Sequence, residues 1–410
     1  MNMRRVGLCG GWLSVRGGGA TSSALQQADV WRLLGYEVIL FGVDDHLHAA
    51  PRLPTGQCLS IVLCPGVGGD AMLQSSGLLR RFHEVLPSLD LVHLNGPWRG
   101  LNRKLAQACR MRGVPVVLSP RGCCDPSARV FSEAVSAKRA RVCDHALLSD
   151  VDIVHVTSHR ERIQSIWSKE PKCFVNIPNP VNLNSFAPPS PSERLAARCS
   201  LGLAPGQRVL LHLGRVVPEK NPEFLLDLVR CLGDPATVLV MAGSVTAAMH
   251  STLTEYAAAA GVLSQVCLVG PVQDDLRRAW AVAADVHLVP SHGENFCLSL
   301  VEAVSLGTPV VCSPNVGALE FLRSSAVNVV PLDIPAWCDA VRAALCEEPL
   351  KDALQRHIEI RRQFSPQRIA ALWETSLRQL GIECKSLGNI GGKVHWALRH
   401  TASATAEVTL

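Results

Sequence analysis

Along most of this chain, short apolar runs that close on Gly, Ser, Pro or Asn alternate with longer segments of helical period. That alternation specifies β-α-β units, because strands covered on both faces of a parallel sheet read as continuous apolar runs and the crossover helices supply the intervals. In the first half the expected strands are Arg5 to Cys9, Val38 to Phe41, Leu59 to Leu63, Leu91 to Leu94, Pro115 to Leu118, Ile153 to Thr157 and Cys173 to Ile177. The clearest helix is TSSALQQADVWRLLG, in which Ala24, Ala28 and Trp31 fall on one face, Thr21 to Ser23 can cap the start and Gly35 can end it. Around Asn179 the pattern gives way to IPNPVNLNSFAPPSPSERLAARCSLGLAPGQ, rich in Pro, Asn and Ser, which reads as a linker. It then resumes with RVLLHLG, TVLVMAG, VCLVG, DVHLVP, PVVCS and VNVV, a second open sheet.

The fold class is therefore α/β, with two domains each built on an open parallel sheet. A chain of 410 residues also exceeds what one hydrophobic core usually supports. The expected division is 1–185, 186–365, a C-terminal helix within 366–387 that packs back across both domains, and a poorly ordered tail at 388–410. Apolar residues at 48% against charged residues at 18% place the whole chain among folded globular proteins. The net charge of +5 comes without a basic stripe interleaved with aromatics, so nucleic acid is not an expected partner, whereas a small anion or an anionic lipid surface is. The sixteen cysteines are scattered, with neither zinc spacing nor a disulfide framework, and suit a reducing compartment. MNMRRVGLCGGWL is broken by glycines and reads as a first strand, and no run of about 18 apolar residues is long enough to cross a bilayer.

Ligands of open parallel sheets bind beyond the carboxyl ends of the strands, and four loops there carry chemistry. VRGGGATSS follows the first strand, and its Gly18 and Gly19 either admit a ligand to the backbone or only make a tight turn. HLGRVVPEKNPEFLLDL places Arg215 and Lys220 after a strand, where they converge on a diphosphate or stand as solvated cations. SHGENFCLSLVEAVSLGTPVV carries Glu294 and Glu302; a helix from near Phe296 to Leu306 would set them about 80° apart and about 12 Å along the axis. They then hold separate parts of an extended ligand, with the amides of Asn295, Phe296, Cys297, Leu298 and Ser299 facing an anion, or they are a dipole-favouring Glu and an exposed helical Glu. PVVLSPRGCCDPSA presents Arg121, either towards a cleft between domains or in a salt bridge with Asp125. His93, at the end of LVHLNG, reads as a hydrogen-bonded structural residue.

Taken in order, these segments resemble the family 4 retaining glycosyltransferases of the GT-B fold, in which two Rossmann-like domains face each other across a cleft. Glu294, seven residues and Glu302, followed by AVSLGTPVV, look like the family's Glu-x7-Glu motif. GRVVPEKN looks like its phosphate loop, GGGATSSALQQADVWRLLGYEV like its N-domain glycine loop and helix, and IPNPVNLNSF like the entry to the second domain. The resemblance implies an acceptor-side first domain and a nucleotide-sugar-binding second domain. Arg215 and Lys220 would neutralise the leaving diphosphate, with no metal or other cofactor required. Glu294 would contact donor-sugar hydroxyls, Glu302 the ribose, and Gly18 and Gly19 the diphosphate or reacting groups; neither carboxylate would be a glycosidase-style nucleophile.

Two departures stand out. Arg121 occupies a place where many members carry a His that contacts the donor sugar, and the SPRG form resembles a subgroup tied to bacterial exopolysaccharide and surface-polysaccharide assembly. Asn295 and Cys297 stand where glycine is frequent. The implied activity is transfer of a hexosyl group from a nucleotide diphosphate sugar to a hydroxyl of a glycan or lipid-linked glycan. The alternatives are a sugar-nucleotide epimerase of the same fold and a noncatalytic sugar-nucleotide-binding subunit. The expected location is cytoplasmic, peripheral to the inner membrane face if GLLRRFHEVL and FSEAVSAKRARVC rest on anionic lipid rather than forming ordinary amphipathic helices.

Overall fold

The computed structural model describes residues 3–13, 18–44, 58–67, 73–96, 100–125, 144–272, 274–322, 327–346, 352–380 and 407–408. The chain divides into two compact units, one formed by Met1–Pro180 with Phe364–Leu410 and the other by Val181–Gln363. The break falls inside the Pro- and Asn-rich segment expected to link two domains.

In the first unit the strands are β1 (Arg4–Trp12), β2 (Tyr36–Asp44), β3 (Leu59–Pro65), β4 (Leu91–Asn95), β5 (Val116–Ser119), β6 (Ile153–Val156) and β7 (Phe174–Asn176). With the two-residue β14 (Glu407–Val408) they form one sheet in the order β14-β7-β6-β5-β4-β1-β2-β3, every pair parallel. All seven strands expected from the sequence are present. The order reverses between β1 and β4, which makes their carboxyl ends the natural ligand crevice.

The helices of this unit include α1 (Gly18–Leu33), α2 (Ser76–Val85), α3 (Leu101–Arg112) and α4 (His159–Gln164), and residues 144–149 are also helical. In α1 the residues Ala24, Ala28 and Trp31 are fully buried, as their spacing requires. The helix begins earlier than its polar cluster suggests: Thr21 lies inside it and spends its hydroxyl on the Trp12 carbonyl, at 2.8 Å. Gly35, expected to end the helix, adopts a left-handed φ of 83°.

The second unit holds β8 (Arg208–Leu213), β9 (Thr237–Ala242), β10 (Val266–Gly270), β11 (Val286–Val289), β12 (Val310–Cys312) and β13 (Asn328–Val329), in the parallel order β10-β9-β8-β11-β12-β13. This is the doubly wound order, with its switch between β8 and β11. Its helices are α5 (Pro191–Ser200), α6 (Pro222–Leu232), α7 (Ala247–Ala259), α8 (Asp274–Ala283), α9 (Leu298–Leu306), α10 (Ile334–Cys346) and α11 (Ala353–Phe364). The core under α6 and α10 contains Leu210, Leu225, Leu239, Leu288 and Trp337.

A last helix, α12 (Pro366–Gln379), returns to the first unit and packs on α1, with the Trp373 and Trp31 rings 5.3 Å apart. Apart from 407–408, the tail expected to be poorly ordered lies outside the described residues.

Candidate active site

The loops at the β8/β11 switch bring together three of the residues singled out in the second unit. After β8 the backbone must pass close to β9: a Cβ on Gly243 would sit 1.7 Å from the Gly214 carbonyl oxygen, so only glycine fits there. That contact fixes the start of the loop carrying Arg215 and, one 3₁₀ turn later, Lys220. Asn221 then takes a left-handed φ of 55° and turns the chain into α6, whose first residue is Pro222.

Lys220 is not a solvated cation, since the residue is only 8% exposed. Its Nζ lies 2.8 Å from Glu294 Oε1, 3.7 Å from Glu219 Oε1 and donates to the Gly293 carbonyl at 3.3 Å. Burial, the largest influence on its pKa, acts downward, but Glu294 and then Glu219 outweigh it, so the net shift is upward and the ammonium stays charged. Ser291 donates to the same Glu294 oxygen at 3.3 Å. Arg215 is half-exposed, and among the described residues its guanidinium pairs only with Glu219, at 3.9 Å.

Glu302 is placed differently. It lies in α9, the residue 3% exposed, and pairs with Arg277 of α8 at 2.8 Å (Oε1) and 2.6 Å (Oε2). The exposed helical Glu is thereby ruled out. Burial raises its pKa against the opposing pull of Arg277, whose guanidinium is stacked 5.6 Å over the Phe186 ring. Oε2 is itself buried against the Arg277 guanidinium.

The helix between the two glutamates begins at Leu298, not near Phe296, because Cys297 has a left-handed φ of 73°. The amides expected from Asn295 to Ser299 therefore divide: those of Leu298 and Ser299 belong to the first helical turn, which has no intrahelical partner for them. Phe296 faces the interior, its ring 6.1 Å from that of Phe321, and its carbonyl accepts from Ala318 N at 3.0 Å. Gly307 ends the helix at a φ of 79°, as expected. Burial and then Glu294 push the Cys297 thiol pKa well up, so it is no nucleophile.

In the first unit the strand ends converge on Arg121. Its Nε and Nη2 donate to Asn95 Oδ1 at 3.0 and 2.8 Å, and its Nη1 donates to Asn179 Oδ1. The proposed salt bridge with Asp125 is not formed; Asp125 pairs with Arg160 at 3.6 Å. Arg121 has a left-handed φ of 56°, and the turn is pinned by buried Glu161, which accepts from Gly122 N at 2.8 Å, Thr157 N at 2.7 Å and Thr157 Oγ1 at 3.0 Å.

Beneath this cluster runs a buried polar chain. The Trp31 indole donates to His93 Nδ1 at 3.0 Å; His93 Nε2 meets Ser119 Oγ, Ser119 Oγ meets His155 Nδ1, and His155 Nε2 meets the Ile177 carbonyl, each at 2.7 Å. An indole N–H can only donate and a carbonyl can only accept, so every proton between them is placed and both imidazoles are neutral with Nε2–H. Burial drives both pKa values down, that of His155 to about 3. The structural reading of His93 holds. Two residues beyond His93, Ser119 and Ile177 stand Asn95, Arg121 and Asn179, so the chain sets the height at which the upper group is displayed.

Gly18 opens α1, and Gly19 has nothing within 4 Å of the place a Cβ would occupy, so packing does not demand glycine there. Residues 14–17 of the glycine loop lie outside the described residues. Among the described residues no group of three or more His, Cys, Asp or Glu is placed to hold a metal.

A profile for a glycosyl transferase 4-like domain matches residues 18–172, and one for glycosyl transferases group 1 matches residues 194–361. The chain belongs to the family 4 glycosyltransferases, and its two parallel sheets are those of the GT-B fold. Among curated relatives, D-inositol 3-phosphate glycosyltransferase of Geodermatophilus obscurus is 32% identical over 234 residues, 53% of this chain and 51% of that one. The corresponding protein of Mycolicibacterium gilvum is 34% identical over 204 residues, 48% and 45% of the two chains. The chain thus spans about half the length of the curated relatives it matches. Among solved structures, Anabaena HepE in complex with UDP and glucose superposes with a TM-score of 0.73 at 17% identity, over 92% of this chain and all of that one. Sucrose-phosphate synthase from Thermosynechococcus elongatus gives 0.71 at 20% identity over 92% and 99%.

Proposed function

We propose that the protein transfers a hexosyl group from a nucleotide diphosphate sugar to a hydroxyl of a glycan or lipid-linked glycan, with retention of configuration, in assembly of a surface polysaccharide. The observation that carries this reading is Lys220, a buried ammonium held 2.8 Å from Glu294 in the loop that follows β8 at the sheet's switch point. With half-exposed Arg215 it would neutralise the departing diphosphate without a metal. The anomeric carbon–oxygen bond to phosphate breaks, the new glycosidic bond forms to the acceptor hydroxyl, and that hydroxyl's proton passes to the departing phosphate oxygen. Glu294, already accepting from Lys220 and Ser291, is suited to orient sugar hydroxyls rather than to attack carbon. Glu302 would accept from the ribose.

The UDP and UDP-glucose complexes of structurally similar Anabaena HepE support a nucleotide-sugar donor. WaaG, described as a glycosyltransferase of lipopolysaccharide biosynthesis, superposes with a TM-score of 0.66 at 17% identity and is compatible with a glycan acceptor. We assign the acceptor to the first unit. The exposed cations Arg80 and Arg81 of α2 and Arg103, Lys104, Arg110 and Arg112 of α3 support contact of that unit with an anionic membrane at the cytoplasmic face. FSEAVSAKRARVC lies outside the described residues.

Titration of purified protein with UDP-, GDP- and ADP-sugars tests the proposal. One donor should bind and be slowly hydrolysed, and Lys220→Ala and Glu302→Ala should each weaken its binding by tenfold or more. No binding to any donor, or wild-type binding in both variants, would overturn it.

A further inference from the structure

We infer that Arg121 is the receptor for an oxyanion, a phosphate or a carboxylate, carried by the acceptor. This deepens the transferase reading and rests on the assignment of the acceptor to the first unit. A guanidinium has five N–H donors. Three are spent on the amide oxygens of Asn95 and Asn179, which leaves one on Nη1 and one on Nη2 with no oxygen among the described residues. Both are charge-assisted donors of the kind that phosphate and carboxylate oxygens accept from.

The charge is also unbalanced at close range. Both partners are neutral, and no carboxylate among the described residues forms an ion pair with Arg121. Glu161, the carboxylate most closely associated with it, has both oxygens engaged by Gly122 and Thr157 and acts on Arg121 only through space. Burial accordingly lowers the guanidinium pKa to about 10. An arginine that served only structure would gain more from a carboxylate than from two amides, because a desolvated cation left unneutralised is costly.

The backbone adds an independent observation. A left-handed φ of 56° is strained for a side chain as long as arginine, and it persists because Glu161 pins the next amide. The buried chain of His93, Ser119 and His155 contributes no charge of its own, so the site offers one fixed positive fork over a neutral floor. Arg121 as a whole is half-buried at the end of its strand.

The test uses the full chain saturated with UDP, which occupies the diphosphate site, and titrates inorganic phosphate and glucuronate separately by calorimetry. Saturable binding of at least one anion is expected; phosphate alone points to a phosphorylated acceptor and glucuronate alone to a uronate-bearing one. Arg121→Gln should weaken that binding tenfold or more, and Arg121→Lys should fall between. Asn95→Asp, which keeps the arginine but neutralises it in place, should also weaken binding tenfold and stands in if Arg121→Gln does not fold. The inference is overturned if neither anion binds to UDP-saturated protein, or if binding is unchanged in Arg121→Gln or Asn95→Asp. UDP binding is read in the same titrations: its absence would count against the transferase reading, whereas UDP binding without anion binding would count against Arg121 alone.

Discussion

At the scale of single residues, function and backbone strain coincide. Of the four described non-glycine residues with positive φ, Arg121 and Cys297 sit in the two candidate sites and Asn221 directly follows Lys220, while Cys58, just before β3, belongs to neither site. Cys297 stands where family members often carry glycine, and its φ of 73° supplies the physical reason. Cys297→Gly should therefore be more stable than Cys297→Ala by about 1 kcal/mol, since both lose the thiol but only alanine keeps a Cβ in the left-handed region. Equal denaturation midpoints for the two variants would show that the position is unstrained. Lys220, Glu294 and Glu302 were legible in the sequence because charged residues in otherwise apolar or small-residue loops stand out. Their anchors Glu219 and Arg277, and Asn95 and Asn179 around Arg121, were not, because a polar residue at a strand end or on a helix carries no mark of the partner that folding will bring to it.

At the scale of elements, continuous apolar runs made every central strand readable, whereas α5 was hidden. It buries no residue, and it is held by Arg194 and Arg198, which bond Asp285 and the carbonyls at the end of α8. A helix secured by guanidinium-to-carbonyl bonds leaves no apolar stripe to detect. The strand ends of the first unit show a related effect. Histidines in LVHLN and DIVHVT interrupt apolar runs, and their meaning emerges only when β4, β5 and β6 lie side by side. The ordinary imidazole pKa of 6.5 falls to about 3 in folded His155, so below pH 6.5 the unfolded chain takes up a proton that the native state refuses. Stability conferred by this group is fully present above pH 6.5 and declines as pH falls towards 3. His155→Gln can accept from Ser119 and donate to Ile177 without titrating. It should flatten the loss of unfolding free energy between about pH 6 and pH 5 by ~1.4 kcal/mol per pH unit. A slope identical to wild type would mean that His155 is not held neutral.

At the scale of the whole molecule, two domains were evident from length and from the linker, but the destination of the last helix was not. Its apolar face alone does not say which surface it covers. The buried neighbours of Trp373 are Trp31, His93 and His155, all in the first unit. No helix among the described residues is long and apolar enough to cross a membrane; the contact with anionic lipid proposed above would rest on surface charge. Vesicles containing phosphatidylglycerol should co-sediment with the protein at low salt and release it at roughly 0.5 M salt, where screening is strong. Arg80→Glu combined with Lys104→Glu should reduce that binding several-fold; equal binding to purely zwitterionic vesicles would exclude the electrostatic contact. The return of α12 has a further consequence for biosynthesis. As the chain leaves the ribosome, the floor beneath Arg121 stays open until residues 366–379 have emerged, after the entire second unit has been made. The part of the protein translated first is thus completed last, and a chaperone that recognises exposed tryptophan would have the whole interval of second-unit synthesis in which to engage it.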